Sequence, residues 1–197
     1  CYSTQKKGDG IKFVMEIESC TFYEAIQKIA DICNIVLERE EETEEVKQKR
    51  SEKEEITRLM AWSALKYQNH FKSLPNDHWA KKMVLSRKIS EETLISFGIG
   101  FAPDEWKFLT TPIIDNAKLE IGKTAGLVTV KQGNSYDFFK NRLIFPIEDV
   151  NGNVIGFGGR CADDDPAKES GRKYINSKES IVYSKSRSLY GIYKAKN

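Results

Sequence analysis

The run from Asn141 to Arg160, NRLIFPIEDVNGNVIGFGGR, constrains the fold of this chain more than any other stretch. Two apolar runs, Leu143–Ile147 and Val154–Phe157, flank Asp149-Val150-Asn151-Gly152-Asn153. Asn-Gly between runs of strand length is the strongest short hairpin signal, because both residues tolerate a left-handed backbone. Gly156, Gly158 and Gly159 crowd the end of the second strand and lead into Arg160. More cations follow: Lys173 before Tyr174-Ile175-Asn176-Ser177, then Lys185 and Arg187 before Leu189-Tyr190-Gly191. A strand that delivers an arginine at a glycine-rich end, with cations beyond it, suits a phosphate-bearing ligand.

Taken singly, these elements are ambiguous. Gly156-Phe157-Gly158-Gly159-Arg160 has no GK[ST] and is not a Walker loop. It lacks the following helix and distant acid of a dinucleotide fingerprint, so by itself it reads as a glycine-rich strand end. Asp163-Asp164-Asp165, flanked by Pro166, Lys168 and Gly171, reads as a solvated loop rather than a metal site. His70 and His78 have no Cys or His at ligand spacing and read as ordinary helix residues.

In combination the blocks are specific. RLIFPIEDVNGNVIGFGGR, KYINS and SKSRSLYGIYKA resemble the N-terminal half of the catalytic core of bacterial, DnaG-type DNA primases. The resemblance continues upstream through Arg87-Lys88-Ile89-Ser90, Gly98-Ile99-Gly100-Phe101-Ala102-Pro103 and Trp106. It reaches back to Gly8-Asp9-Gly10-Ile11-Lys12-Phe13-Val14-Met15-Glu16, which looks like the exit from the family's zinc ribbon. Arg87 matches the Arg of the family's R-G-L-S turn, with Lys88 in place of the usual Gly. Cys1 falls on the first cysteine of the ribbon's second ligand pair, but Thr4 stands where its partner belongs. Structural zinc needs four ligands in tetrahedral array, so the resemblance implies a ribbon remnant in which zinc is doubtful and Cys1 a ligand only in a longer protein.

Composition narrows the partners. The chain has 197 residues, 30% of them charged, yet its net charge is only +2. Any electrostatic footprint is therefore local. From Lys140 to the end, eleven Lys and Arg stand against seven Asp and Glu, so the cations concentrate where the motifs lie. No apolar run approaches the ~20 residues that span a bilayer. Cys1, Cys20, Cys33 and Cys161 have no paired spacing and read as reduced thiols. The abrupt start at Cys1 reads as a fragment of a longer cytosolic protein.

Helical periodicity fills the first half. Asp9 is a candidate N-cap for a helix with Ile11, Val14 and Met15 on its apolar face. Thr21-Phe22-Tyr23-Glu24 is a capping-box signature, with Phe22, Ile26, Ile29 and Cys33 expected to pack in a core. Residues 38–57 hold nine acidic and five basic residues and read as a charged linker or solvated helix face. Ile56, Met60, Ala64, Tyr67 and Phe71 then form one helical stripe, with Trp62 on a second face. Leu74-Pro75-Asn76-Asp77 separates it from a helix over about 78–86, and Ser90 caps the next one, which Phe97-Gly98 closes. From Gly98 the chain turns strand-rich, with a short helix near Trp106, a strand over 126–130 and a turn at Gly133-Asn134-Ser135. The fold class is α+β: a helical N-terminal segment followed by a mixed β-sheet domain with flanking helices. Expected domains are 1–37 (end of the zinc ribbon and its tail), 38–57 (linker) and 58–197 (core subdomain).

The resemblance implies part of an enzyme that synthesises short RNA primers on single-stranded DNA at the primosome. Such nucleotidyl transfer uses Mg2+ or Mn2+ held by carboxylates. In the family these lie in a Toprim fold just beyond the L-Y-G-x-Y segment, so no catalytic residue or metal site is expected in this chain, which alone should not polymerise. Its expected role is the basic wall of the cleft, with Arg142, Arg160, Lys173, Asn176, Lys185, Arg187 and Arg87 holding template, primer or NTP phosphates. A replicative helicase would bind through other regions, and a cytoplasmic location with no membrane partner is implied. The alternative is a non-catalytic single-stranded DNA-binding or scaffold module derived from a primase.

Overall fold

A computed structural model describes residues 8–18, 20–35, 43–165 and 172–196. They divide into two compact units, Cys1–Lys47 and Gln48–Asn197.

The first unit is a helical pair, α1 (Gly10–Ile17) and α2 (Phe22–Cys33). Asp9 caps α1, its Oδ1 accepting from Lys12 N at 2.9 Å. Thr21 and Glu24 form the full capping box on α2. The inward face of α2 is built on the buried Ala25 and Ala30. Small side chains let two helices approach closely, so the face turns toward them. Phe22 and Cys33, expected in the core, lie exposed instead.

The second unit is organised by α3 (Glu44–Ser73), which begins within the charged stretch; residues 36–42 lie outside the described residues. The predicted stripe of Ile56, Met60, Ala64, Tyr67 and Phe71 is buried along its whole length. Two short helices follow, α4 (Trp79–Ser86) and α5 (Glu91–Ser96). His78 caps α4, its Nδ1 accepting from Ala80 N at 3.2 Å, and Ser90 caps α5 by accepting from Thr93 N at 3.1 Å. Lys88 takes a left-handed φ of 55° after α4, with Ile89 N on Val84 O and Lys88 N on Leu85 O. This is the doubly bonded helix stop that glycine usually makes. Lys88 thus takes, in this chain, the left-handed position at which glycine is favoured.

The main sheet has the order β1 (Gly100–Ala102), β4 (Arg142–Glu148), β5 (Val154–Arg160), β6 (Tyr174–Asn176). The α+β class holds, but the pairs among the described residues are antiparallel rather than mixed. β4 and β5 form the predicted hairpin, with a different turn. Gly152 alone is left-handed, at φ 83°, and the Asp149 carboxylate accepts from Asn151 N and Asn153 N. This is a three-residue loop ending in a left-handed glycine, gathered around one acid.

Between β1 and β4 lie α6 (Thr110–Asp115), α7 (Leu119–Thr124) and a hairpin of β2 (Val128–Lys131) and β3 (Asn134–Asp137). Its turn is Gln132-Gly133, both left-handed, so Asn134 and Ser135 are strand residues and not the expected turn. The buried Asp137 accepts from Leu109 N, Thr110 N and Thr110 Oγ1 at 2.6 to 2.9 Å. It supplies the N-terminal cap that α6 lacks in its own sequence.

The chain ends in α8 (Ile192–Lys196). Ile144 and Phe157 join Ile56, Met60, Ala64 and Tyr67 of α3, with Leu109, Ile113, Leu127 and Phe139, in one cluster. Leu143 and Phe101 join Phe71, Ala80, Val84 and Ile99 in another. The central strands are thus covered on both faces, which explains their near-continuous apolar runs.

Candidate nucleic-acid interface

Strand register gathers the predicted cations. Ala102 pairs with Arg142, Leu143 with Arg160, and Arg160 with Tyr174. The end of β1, the start of β4, the end of β5 and the start of β6 therefore meet at one end of the sheet. Arg142, Arg160 and Lys173 are neighbours there although 31 residues separate the first from the last.

The pleat sends the two arginines to opposite faces. Arg160 shares the face of its partner Leu143, while Arg142 lies on the face of Ile144. Arg142 is 7% exposed, and its Nη1 donates to Gly159 O at 3.4 Å and Lys173 O at 3.2 Å. It clasps the strand ends from beneath. Gly159 is required there, because a Cβ would sit 2.7 Å from Phe139 and 3.1 Å from the Arg142 side chain.

Arg160 is more buried still, at 3%. Its Nε donates to Tyr174 Oη at 3.1 Å, and its Nη1 reaches Met83 Sδ of α4. Nη2 donates to both carboxylate oxygens of Asp163, at 3.0 and 3.1 Å. Burial opposes the charge on Arg160, but Tyr174 and Asp163 outweigh it and its pKa is raised. Lys173 Nζ lies 3.1 Å from the same Asp163 Oδ1. With Lys173 and then Arg160 bonded to it, Asp163 titrates at about 2, well below the ordinary aspartate range.

Three further cations have other settings. Arg87 ends α4, exposed and one helical turn beyond Met83, which places it on the Arg160 side of that helix. Lys185 and Arg187 are exposed on a turn after Tyr183, whose ring packs where a Cβ on Gly156 would lie, at 3.0 Å. Gly156 is four residues from Arg160, roughly 13 Å along the strand, so this turn is anchored away from the Arg160 end. Asn176 pairs with Gly158, exposed on the last strand of the sheet.

Sequence reasoning missed Asp163, read as one acid of a solvated loop. It is indeed 60% exposed, but its carboxylate is the common partner of two cations. Its position three residues after Arg160 was the available signal. Also missed was the pairing of Trp106 with Lys140. Trp106 is 59% exposed, and Lys140 Nζ lies 4.2 Å over its ring while bridging to Asp104 at 2.6 Å. His70 and His78 belong to an aromatic group with Trp79 and Phe101. Burial lowers the pKa of both.

Among the described residues no three His, Cys, Asp or Glu side chains converge as a metal site. Cys1 and Thr4, on which the zinc expectation rests, lie outside them. Cys20, Cys33 and Cys161 are free thiols.

Comparison with known proteins agrees with this architecture. Residues 66–196 match the family model for the DNA primase catalytic core, N-terminal domain, and residues 1–45 match the CHC2 zinc finger. A DNA primase from Clostridium acetobutylicum is 35% identical over 193 residues, covering 98% of this chain and 31% of that protein. A DnaG primase catalytic domain solved bound to single-stranded DNA is 33% identical, with a TM-score of 0.68 over 75% of this chain and 44% of that one. The Aquifex aeolicus primase, solved with its zinc-binding and RNA polymerase domains, is 28% identical with a TM-score of 0.61, covering 98% of this chain and 44% of that one. The chain spans about a third of the length of the primase sequences it matches. Register, core and matched span together show that this chain belongs to the DnaG-type primase family and carries the N-terminal domain of its catalytic core.

Proposed function

We propose that this chain supplies the phosphate-holding wall of a primase cleft, which grips single-stranded DNA template, nascent RNA primer or NTP while primers are made for replication. The observation that carries the reading is the convergence of Arg160 and Lys173 on one oxygen, Asp163 Oδ1, at 3.0 and 3.1 Å. Two cations focused on a single oxygen position, beside an aromatic hydroxyl, form a setting that suits a phosphate oxygen. Arg142 acts from below by fixing the Lys173 backbone. Arg87, Asn176, Lys185 and Arg187 extend the polar surface along which a strand could run. Contacts of this kind follow the backbone, so binding is salt-dependent and weakly sequence-specific.

The primase bound to single-stranded DNA, similar over three quarters of this chain, supports the choice of ligand. Mg2+ or Mn2+, which would neutralise the triphosphate and activate the attacking hydroxyl, would be held by the carboxylates of a Toprim fold and not by the described residues. The chain alone is expected not to polymerise, and a helicase would dock elsewhere. Among the described residues no helix is long and apolar enough to cross a membrane.

The test is binding of a thymidine oligonucleotide across a salt series, for the wild-type chain and an Arg160→Gln/Lys173→Gln double variant checked for folding. The double variant should bind more weakly, and its log–log salt slope should flatten by about 0.7 for each lost phosphate contact. Equal binding by a folded variant would remove these residues from the interface.

A further inference from the structure

We infer that Asp163 is a built-in phosphate mimic that sets the affinity of the Arg160–Lys173 site: its carboxylate stands where a ligand phosphate oxygen binds and must swing out to admit one. The inference rests on the reading of these two cations as phosphate ligands. Three features of the geometry lead to it. Arg160 is 3% exposed while the Asp163 side chain is 60% exposed, so the carboxylate covers the guanidinium on its solvent side. Two of the Arg160 nitrogens are engaged by Tyr174, Met83 and the Cys161 carbonyl, which leaves Nη2 as the one directed outward, and Asp163 holds it with both oxygens. Lys173, just before β6, reaches the same oxygen at 3.1 Å. A bidentate oxyanion shared by Arg and Lys is the arrangement a phosphodiester would make.

A displaceable carboxylate has a consequence for selectivity. Arg160 keeps an oxyanion partner in either state and the exposed Asp163 carboxylate returns to water when it leaves, so its exchange for a ligand phosphate is nearly balanced at this one site. A ligand that presents further phosphates to Arg87, Lys185 or Arg187 gains where an isolated phosphate does not. The device therefore favours a continuous strand over small anions. It also works at all ordinary pH values, because a carboxylate that titrates at about 2 stays charged.

The test compares wild type, Asp163→Asn and Asp164→Asn in binding a thymidine oligonucleotide and inorganic phosphate across a salt series, with thermal melts as the folding check. Asp163→Asn keeps the shape and removes the competing charge. It should tighten oligonucleotide binding roughly threefold to tenfold, narrow the preference over inorganic phosphate, and steepen the salt slope by about 0.7. Asp164→Asn makes the same change in net charge and should do little. Equal or weaker binding by folded Asp163→Asn, or an equal gain from Asp164→Asn, overturns the inference. In the wild-type chain, the carboxyl carbon resonance of Asp163 should move when oligonucleotide is added at neutral pH, and a fixed resonance under saturating ligand overturns it as well. That measurement decides the matter even if the variant fails to fold. Wild type that binds no oligonucleotide at low salt defeats the underlying reading instead, a result distinct from failure of the Asn variant alone.

Discussion

The Arg142 guanidinium donates to the backbone carbonyl of Lys173 at 3.2 Å, so a buried side chain on β4 fixes the main chain from which a surface cation projects. Arg142→Ala would leave Gly159 O and Lys173 O without this donor and open a void beside Phe139. We expect a loss of about 2 to 4 kcal/mol in chemical denaturation. Oligonucleotide binding should fall even where the variant is folded, while the salt slope changes less than in Lys173→Gln, because Arg142 positions a contact rather than making one.

Gly100 lets β1 lie directly against α3. A Cβ at this position would sit 2.7 Å from the Tyr67 carbonyl carbon and 2.8 Å from Gln68 N. Backbone cannot rotate away, so Gly100→Ala should cost on the order of 3 kcal/mol, read as a lowered denaturation midpoint. Gly133→Ala is the comparison: nothing lies within 4 Å of its Cβ, and its penalty should come only from the left-handed φ of 76°.

Tyr67 is 1% exposed, and its hydroxyl has no hydrogen-bond partner among the described residues. Burial pushes its pKa well up, with Asp137 adding to the effect. An unpaired buried hydroxyl opposes folding, so Tyr67→Phe should stabilise the chain by about 1 kcal/mol. A loss of stability would reveal a partner, such as a bound water.

Lys88 and Ala117 are left-handed, both at φ 55°, and each ends a helix where glycine is favoured. Lys88→Gly and Ala117→Gly should each raise stability by about 0.5 to 1 kcal/mol in thermal melts, relief of strain exceeding the entropy of a freer unfolded chain. The gains should add, since the two stops share no partner.

His78 accepts from Ala80 N through Nδ1, which it can do only while that nitrogen is unprotonated. Burial lowers its pKa first, and His70 lowers it further. A histidine whose folded pKa lies below its unfolded value near 6.5 stabilises above that pH and loses the contribution as pH falls through the folded value. Stability should therefore decline as pH drops below about 6.5. His78→Asn retains a capping acceptor without titrating, and should flatten that slope but not abolish it, because His70 behaves alike.

Local chemistry read from the sequence determined much of this protein. The caps at Asp9, Thr21 and Ser90 and the buried stripe from Ile56 to Phe71 depend on neighbours within a few residues, and hydrophobic period and cap residues report those directly. The β4–β5 hairpin was legible for the same reason, and the ordered motifs around it carried the family. Tertiary structure decided the rest. Whether Asn151-Gly152 or the Asp149 carboxylate shapes the turn depended on how the strands close. That Asp137 caps α6 from 27 residues away, that Arg142 and Arg160 face opposite sides of the sheet, and that Phe22 is exposed follow from register and packing. Asp163 shows the limit most plainly. Its sequence context is that of any acidic loop, and only β5–β6 pairing brings Lys173 beside Arg160, so that one exposed carboxylate meets two cations. Electrostatic partnership falls steeply with distance, and distance between residues far apart in sequence is set by the fold.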